Sequence, residues 1–416
     1  MPSRSAENLT AVVVGGGLIG MNCALALQAR GASVTVVDRY SVRAASLGNA
    51  GHIAVEQVEP LASWSTIRSL PRQLFSRGGP VSLPPREMAA WLPFAIRFAA
   101  AARPKRFRAG KAALAAIAGA ALPAWRRQLA IADASDLLIE NGHFLVWETP
   151  PAAEEGRRRW SSADTGTVAI TAAAPEELAE ISAQLRKPLA GGLRFHGSAQ
   201  MADLEELAQA LATAFEGRGG SLVRNAAVSV RPHEVVLETG QTVAADAVII
   251  AAGAASARLL RPLGYSVPLI AERGYHVQLQ QTQWPTHLPP VVFEERAMIL
   301  TRFRSGLRAA GFFEFARADA PPDPRKWDRL RTHLREVGLA DTLPGTEWMG
   351  ARPTLPDYLP AIGQACPGLF YAFGHQHLGL TLAAATSEAI AAMVGAIAPP
   401  FDLAPFAVER FAIRRS

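Results

Sequence analysis

The spacing of apolar positions changes several times along the chain. Residues 10–14 (Thr-Ala-Val-Val-Val) form a short β-branched run that stops at Gly15-Gly16-Gly17. Residues 18–30, rich in Ala, Leu and Gln, carry a helical pattern that Gly31 ends. Ser33–Val37 is a second β-branched run, closing on Asp38. Strand, helix and strand in so short a stretch make the compact parallel βαβ unit.

Similar pieces recur far downstream. Residues 204–215 have helical periodicity, which Gly217-Arg218-Gly219-Gly220 breaks. Strand-like runs follow at 221–223, 228–230 and 235–238, and 246–251 is an apolar strand closing on Ala252-Gly253. Residues 369–373 form one more strand, which passes through Gly374 into a helix starting at Leu378. Between these pieces the character differs. Residues 86–132 read as helical, with breaks at Pro93, Pro104 and Pro123. Residues 270–280, 291–304 and 307–316 read as strands of an antiparallel sheet, and 327–337 as a helix. The expected organisation is one domain (1–60, 195–265 and 345–416) interrupted by a second (61–194 and 266–344), with no repeat of fixed period.

Composition narrows the classes. The 416 residues are 49% hydrophobic and 19% charged, enough apolar material for a large core and too little polarity for disorder. Scattered Gly (34) and Pro (30) exclude a collagen-like chain. A net charge of +6 and pI near 9.7 suit an anionic ligand or a membrane surface without specifying either; no nucleic-acid partner is expected. Cys23 and Cys366 lie far apart, which argues against a disulfide scaffold or a cysteine zinc site. The apolar start lacks a basic leader and a cleavage motif, so a cytoplasmic protein is expected. Residues 378–398 are nearly all small and apolar, yet Glu388 and abundant Ala argue for a buried helix rather than a membrane span.

The strongest chemical signal is Gly15-x-Gly17-x-x-Gly20 between strand and helix, with Asp38 ending the second strand. Gly15 permits the tight turn, Gly17 admits a pyrophosphate to the backbone, and Gly20 lets helix pack on strand. The helix N-terminus then faces the phosphates, and Asp38 can accept from both ribose hydroxyls. The competing reading is a glycine-rich turn in an unrelated α/β protein. An acid at 38 argues against a 2′-phosphate, leaving NAD and FAD. The chain departs from the sheet after about sixty residues and returns some 190 later, a layout like the FAD-binding fold.

The sequence resembles the FAD-dependent D-amino-acid oxidoreductases of the D-amino-acid oxidase superfamily, specifically the bacterial D-amino-acid dehydrogenases. Four stretches carry the likeness: 12–38; Ser46-Leu47-Gly48-Asn49-Ala50-Gly51-His52; 246–253; and 350–364 followed by 373–381. Residues 60–190 offer no anchoring motif. The run Gly374-His375-Gln376-His377-Leu378-Gly379-Leu380-Thr381 looks most like the branch acting on D-hydroxyproline, because commoner relatives have small residues where His377 stands. The resemblance implies an α/β fold: a Rossmann-like FAD-binding domain of the glutathione-reductase type, with an inserted α+β substrate domain on an antiparallel sheet.

It also implies site residues. Arg352 would clamp a substrate carboxylate through paired hydrogen bonds; the alternative is a structural Arg bridging the domains. Residues 374–381 would lie against the flavin pyrimidine edge, with His375 and His377 as donors, as contacts to the substrate ring, or as ordinary core histidines; His377 is taken with Arg352, His52 and Tyr275 as a candidate catalytic residue. The loop from Ser46 through Asn49, Ala50 and Gly51 would pass close to the isoalloxazine, and His52 is open between active-site and structural roles. Leu18, Ile19, Arg39, Ala252 and Gly253 would border the cofactor, and the Val228 backbone its adenine. Tyr275 is a candidate substrate contact. His375 and His377 are not spaced as a metal site and no third ligand is evident, so no metal is expected. The flavin is expected to be FAD, held non-covalently, because Cys366 does not fall where flavinylated sarcosine oxidases place their cysteine. The implied reaction is oxidation of a D-amino or D-imino acid at Cα. Two rivals stay open, a glycine- or sarcosine-type amine oxidase and a non-catalytic flavoprotein. The electron acceptor is open between a respiratory quinone and oxygen, and the basic stretch 97–111 is a candidate peripheral membrane contact.

Overall fold

The sheet that begins at Thr10–Val14 has six strands. Their spatial order is Ser221–Val223, Ser33–Val37, Thr10–Val14, Ala247–Ile250, Leu369–Phe373 and Ala361–Cys366. The first five run parallel and the last pairs antiparallel. This computed structural model describes residues 9–39, 45–280, 282–339 and 345–411. Alternate positions of each strand feed two cores, as a sheet covered on both faces requires. Val13, Val36 and Ile249 join the helices Leu18–Gln28, Pro104–Ile131, Leu204–Gly217 and Gly379–Val394. Val12, Val37 and Val248 instead meet Val230, Val235 and Leu237 of a three-stranded meander.

Helix Gly379–Val394 lies against both Leu18–Gln28 and Pro104–Ile131. With the turn before it, Gln376–Val394 is long and apolar enough to cross a membrane, but 72% of that stretch is buried inside the protein.

The second sheet orders Gly345–Thr354, Ile270–Leu279, Gly306–Ala316, Met298–Phe303, Val291–Phe293, His143–Trp147, Gly191–His196 and Ala169–Ala172. It is mostly antiparallel, as expected, with parallel pairings of Val291–Phe293 on His143–Trp147 and of Val81–Ser82 on Gly306–Ala316. A third small sheet joins His52–Ile53, Ala199–Met201 and Leu138–Ile139.

Two expectations need correction. Residues 291–304 are a hairpin rather than one strand: a turn at Glu294–Arg296 and Ala297 at φ +48° fold Val291–Phe293 back onto Met298–Phe303. Of the three prolines read as helix breaks, only Pro104 starts a new helix; Pro93 and Pro123 lie inside Met88–Ala101 and Pro104–Ile131. Pro123 and Gly119, whose carbonyl it deprives of a partner, are on the exposed side of their helix. Water can satisfy that carbonyl while Ile117, Ala121, Trp125 and Leu129 hold the opposite side in the core.

Candidate flavin and substrate site

The glycine-rich turn is built as the spacing demands. Gly15 sits at φ +111°, and a Cβ there would collide with the Ala251 carbonyl. At Gly20 a Cβ would fall on the Gly15 carbonyl, so its bareness sets the approach of helix to strand. Helix Leu18–Gln28 has no side-chain cap on its Gly17 N-cap and no acid in its first turn. Ser46 Oγ accepts from the Leu18 amide at 3.1 Å, and Asp38 Oδ2 accepts from the Gly16 amide. The rest of the helix's positive end is open to an anion.

That end faces a cavity of about 540 Å³. Gly15, Gly17, Leu18, Ile19, Asp38, Arg39, Ser46 and Asn49 border it, as do Ala252, Gly253, His375, Gly379, Leu380 and Arg352. Ala50 and Gly51 are not on its wall; Gly51, at φ +77°, is pressed against the Phe303 ring. Gly374 sits behind the wall at φ +78° against Leu355, Leu378 is buried, and Thr381 Oγ1 accepts from the Ala54 amide at 3.0 Å. These three shape the loop from behind. Asn225, Ala226 and Ala227 line the cavity next to Val228, which does not border it and is itself 51% exposed.

At the substrate end, strands Ile270–Leu279 and Gly345–Thr354 pair so that Glu272 stands opposite Arg352 and Gly274 opposite Gly350. The guanidinium lies over Gly274, where any Cβ would strike it. Arg352 Nη1 is 3.5 Å from Glu272 Oε1, and Tyr358 Oη donates to Glu272 Oε2 at 2.8 Å. His377 joins this group, with Nδ1 3.9 Å from Glu272 Oε1 and Nε2 2.7 Å from Gln57 Oε1. Burial pushes His377 down to about 4, with Glu272 opposing the shift and Arg352 adding to it. His375 Nε2 meets Thr386 Oγ1 at 3.0 Å, and burial pushes that imidazole down to about 3. Both rings are neutral at pH 7.

Tyr275 does not reach this group, against expectation. Strand alternation sends Glu272, Gly274 and His276 to the Arg352 side and Arg273, Tyr275 and Val277 to the other. Tyr275 is 1% exposed and donates to Glu314 Oε1 at 2.9 Å in a buried network with Arg273 and Lys326. His52 also leaves the cavity: its ring lies 4.3 Å from that of His143 and its Nε2 3.9 Å from Glu56 Oε1. Burial pushes His52 down to about 4 and Glu56 up to about 8.

Sequence reasoning missed Glu272, Tyr358, Gln57 and His276. His276 stacks on Trp348 with ring centroids 5.1 Å apart, and its Nδ1 lies 3.3 Å from the Gly48 carbonyl. Polar side chains at 272, 276 and 278, alternating with Tyr275, Val277 and Leu279, were the available sign for the face that carries Glu272.

Residues 10–393 match the family of FAD dependent oxidoreductases. The chain belongs to this family. Within it, the chain is 29% identical to a D-amino-acid oxidase of Bradyrhizobium diazoefficiens, over 97% of this chain and 99% of that one. It is 30% identical to a D-amino acid dehydrogenase of Dechloromonas aromatica, over 93% and 97%. Among solved structures it superposes on glycine oxidase from Geobacillus kaustophilus with a TM-score of 0.72 at 22% identity, covering 98% and 100% of the two chains. L-proline dehydrogenase from P. horikoshii gives 0.68 at 16%, over 98% and 100%. These superpositions establish the α/β flavoenzyme fold.

The FAD of this family fits the residues present. The cradle at Gly15 and Gly17, the uncapped helix end and Asp38 suit a dinucleotide. At the far wall, buried His375 Nδ1 and Gln376 Oε1 have no protein partner. Such atoms demand a ligand at the wall.

Proposed function

We propose that this FAD-dependent oxidoreductase oxidises D-amino or D-imino acids at Cα, with a cyclic D-proline or D-hydroxyproline type as the preferred substrate. The observation that carries this reading is Arg352, a guanidinium 15% exposed at the cavity wall opposite the glycine-rich turn. It can receive a carboxylate through two parallel hydrogen bonds and so fix the orientation of Cα. Bound FAD supplies the two-electron acceptor for the hydride leaving Cα. The chain contributes binding, orientation and dryness. Glu272 steadies Arg352 from behind, Tyr358 and Phe313 pack around His377 behind the cavity wall, and neutral His377 places no competing charge near a substrate amine. The positive end of helix Gly379–Val394 meets the same cavity and favours negative charge arriving there.

The accompanying division assigns 1–60, 195–265 and 345–416 to cofactor binding and 61–194 and 266–344 to the substrate side. Helix Pro104–Ile131 crosses back to pack on Gly379–Val394; residues 1–8 and 412–416 lie outside the described residues. A non-covalent flavin is favoured because neither Cys23 nor Cys366 lines the cavity. A peripheral membrane contact through the basic stretch 97–111 completes the reading; Lys111 is paired with Glu59 and Asp164, and exposed basic and apolar residues from 61 to 96 extend the stretch upstream.

The test is anaerobic bleaching of the flavin absorbance by a panel. Rapid bleaching by cis-4-hydroxy-D-proline and D-proline, and not by L-proline, supports the reading. Bleaching by glycine or sarcosine alone replaces it with the neighbouring amine-oxidase activity. No bleaching by any member rejects it.

A further inference from the structure

The polar cluster behind the Ser46–Gly51 loop takes no part in the chemistry above. His52 follows that loop, Glu56 lies four residues on, and His143 opens strand His143–Trp147. One ligand-capable atom from each lies within 4.8 Å of the other two. The side chains of His52 and Glu56 are 8% and 4% exposed, and His143 is 3% exposed. At 3.9 Å, His52 Nε2 and Glu56 Oε1 are too far apart for a hydrogen bond. His52 Nε2 and Glu56 Oε2 are buried without any partner.

Two neighbours extend the pattern. Gln200 pairs directly across from His52 in antiparallel register, so their side chains share a face. It is fully buried, and neither its amide oxygen nor its nitrogen has a partner. Ser198 Oγ lies 2.8 Å from His143 Nδ1, which fixes that ring and leaves Nε2 for a ligand. Each buried polar atom left unmatched is destabilising, so this many together call for a ligand.

We propose that His52, Glu56 and His143 bind one divalent first-row transition cation, zinc by the character of the donors, with Gln200 or a water in the fourth position. Two imidazoles and a carboxylate are a common zinc donor set. Bonds of about 2.0–2.1 Å set tetrahedral ligands about 3.3 Å apart, so ligation draws the three side chains inward by roughly an ångström. None of the three lines the cavity. The cation ties the chain just after the flavin-facing loop to the large sheet, and its role is structural.

The experiment uses the full-length, flavin-loaded protein with any polyhistidine tag removed. After treatment with a chelator and dialysis, zinc is added, excess is removed, and bound metal per chain is measured by mass spectrometry. One equivalent is expected in the wild type, with a rise in unfolding temperature. In Glu56→Gln and His143→Ala the affinity falls about tenfold or more while the flavin spectrum is retained. Substoichiometric zinc in the wild type overturns the proposal, as does undiminished zinc in both variants. Should the variants fail to fold, cobalt on the wild type decides: visible bands of a four-coordinate site, displaced by zinc, support it, and their absence rejects it.

Discussion

Glu272 stands directly opposite Arg352 across two paired strands, its wholly buried carboxylate 3.5 Å from the guanidinium. The pair explains how a cation can wait at a cavity wall without an anion bound. Glu272 also shares its charge with Tyr358, so Arg352 has hydrogen-bonding capacity left for a substrate carboxylate. Replacing Arg352 by Ala is expected to raise KM for a D-amino acid by about 10–100-fold, the worth of charged hydrogen bonds, with the flavin spectrum unchanged. Glu272→Gln keeps an acceptor for Tyr358 and removes the competing charge. A simple carboxylate should then quench or perturb the flavin at roughly fivefold lower concentration, on the order of 1 kcal/mol. Unchanged binding in both variants would separate Arg352 from the substrate.

Tyr275 is expected to matter for stability alone. Its hydroxyl donates to Glu314 and accepts from the Arg273 guanidinium and the Asp323 amide, each at 2.9–3.1 Å. Tyr275→Phe leaves these buried groups one partner short, at a cost of about 1–3 kcal/mol. Thermal unfolding should shift down while KM for the amino acid stays within twofold. A large KM effect with no loss of stability would return Tyr275 to the site.

The contrast between Tyr275 and Glu272 shows what was legible in the sequence. The nucleotide-binding half was written in local signals: β-branched runs, three glycines at fixed spacing, and an acid ending the second strand. Each of those acts within its own βαβ unit. The substrate half depends on which face of Ile270–Leu279 meets Gly345–Thr354, and a bulge at Gly274–Tyr275 disturbs the pairing on the other side. No single strand announces which of its two faces will be the site when both are buried. His52 was unresolved for the same reason, because Glu56, His143, Ser198 and Gln200 come together only through a small sheet between distant segments. Pro93 and Pro123 misled because a proline on the solvent side of a well-anchored helix disturbs little.

Cofactor loss should follow from the smallest change at the turn. Gly15→Ala forces a Cβ onto the Ala251 carbonyl at a positive φ that L residues rarely adopt. The variant is expected to fold but to purify with less than a tenth of the wild-type flavin, on the order of the 1–3 kcal/mol such strain costs. The ratio of visible to ultraviolet absorbance measures it, and full flavin content would contradict the cradle.

Acid should destabilise the protein well before its carboxylates titrate. Burial holds His276 and His375 at about 3 and His377 at about 4 in the folded state. The unfolded chain returns each to about 6.5. Above 6.5 both states are neutral and the full contribution is present. As pH falls from 6.5 towards 3 the unfolded state takes up protons that the native state refuses, so stability is lost. Each group adds a slope of up to about 1.4 kcal/mol per pH unit. Denaturant unfolding at pH 7, 6 and 5 should show a steepening decline. His377→Asn should flatten it by about one proton.

The surface over 61–108 makes the remaining prediction. Leu61, Trp64, Met88, Leu92 and Ile96 are five of the seven large hydrophobic side chains that are exposed among the described residues. Around them Arg68, Arg72, Arg77, Arg86, Arg97, Arg103, Lys105, Arg106 and Arg108 are exposed. Glu87 is the one acid in 61–108 and is bound by Arg317, while Lys111 leaves the basic group to pair with Glu59 and Asp164. Apolar side chains ringed by unopposed cations match the boundary of an anionic bilayer, where each cation adds about 1 kcal/mol within a Debye length. The protein should therefore float with vesicles containing anionic lipid at low salt, and not with neutral vesicles. Ile96→Asn should weaken flotation by removing apolar burial without adding charge, and Arg106→Glu by reversing charge, with only the second loss deepening as salt is lowered. Failure of the wild type to float at low salt would leave this face without a lipid partner.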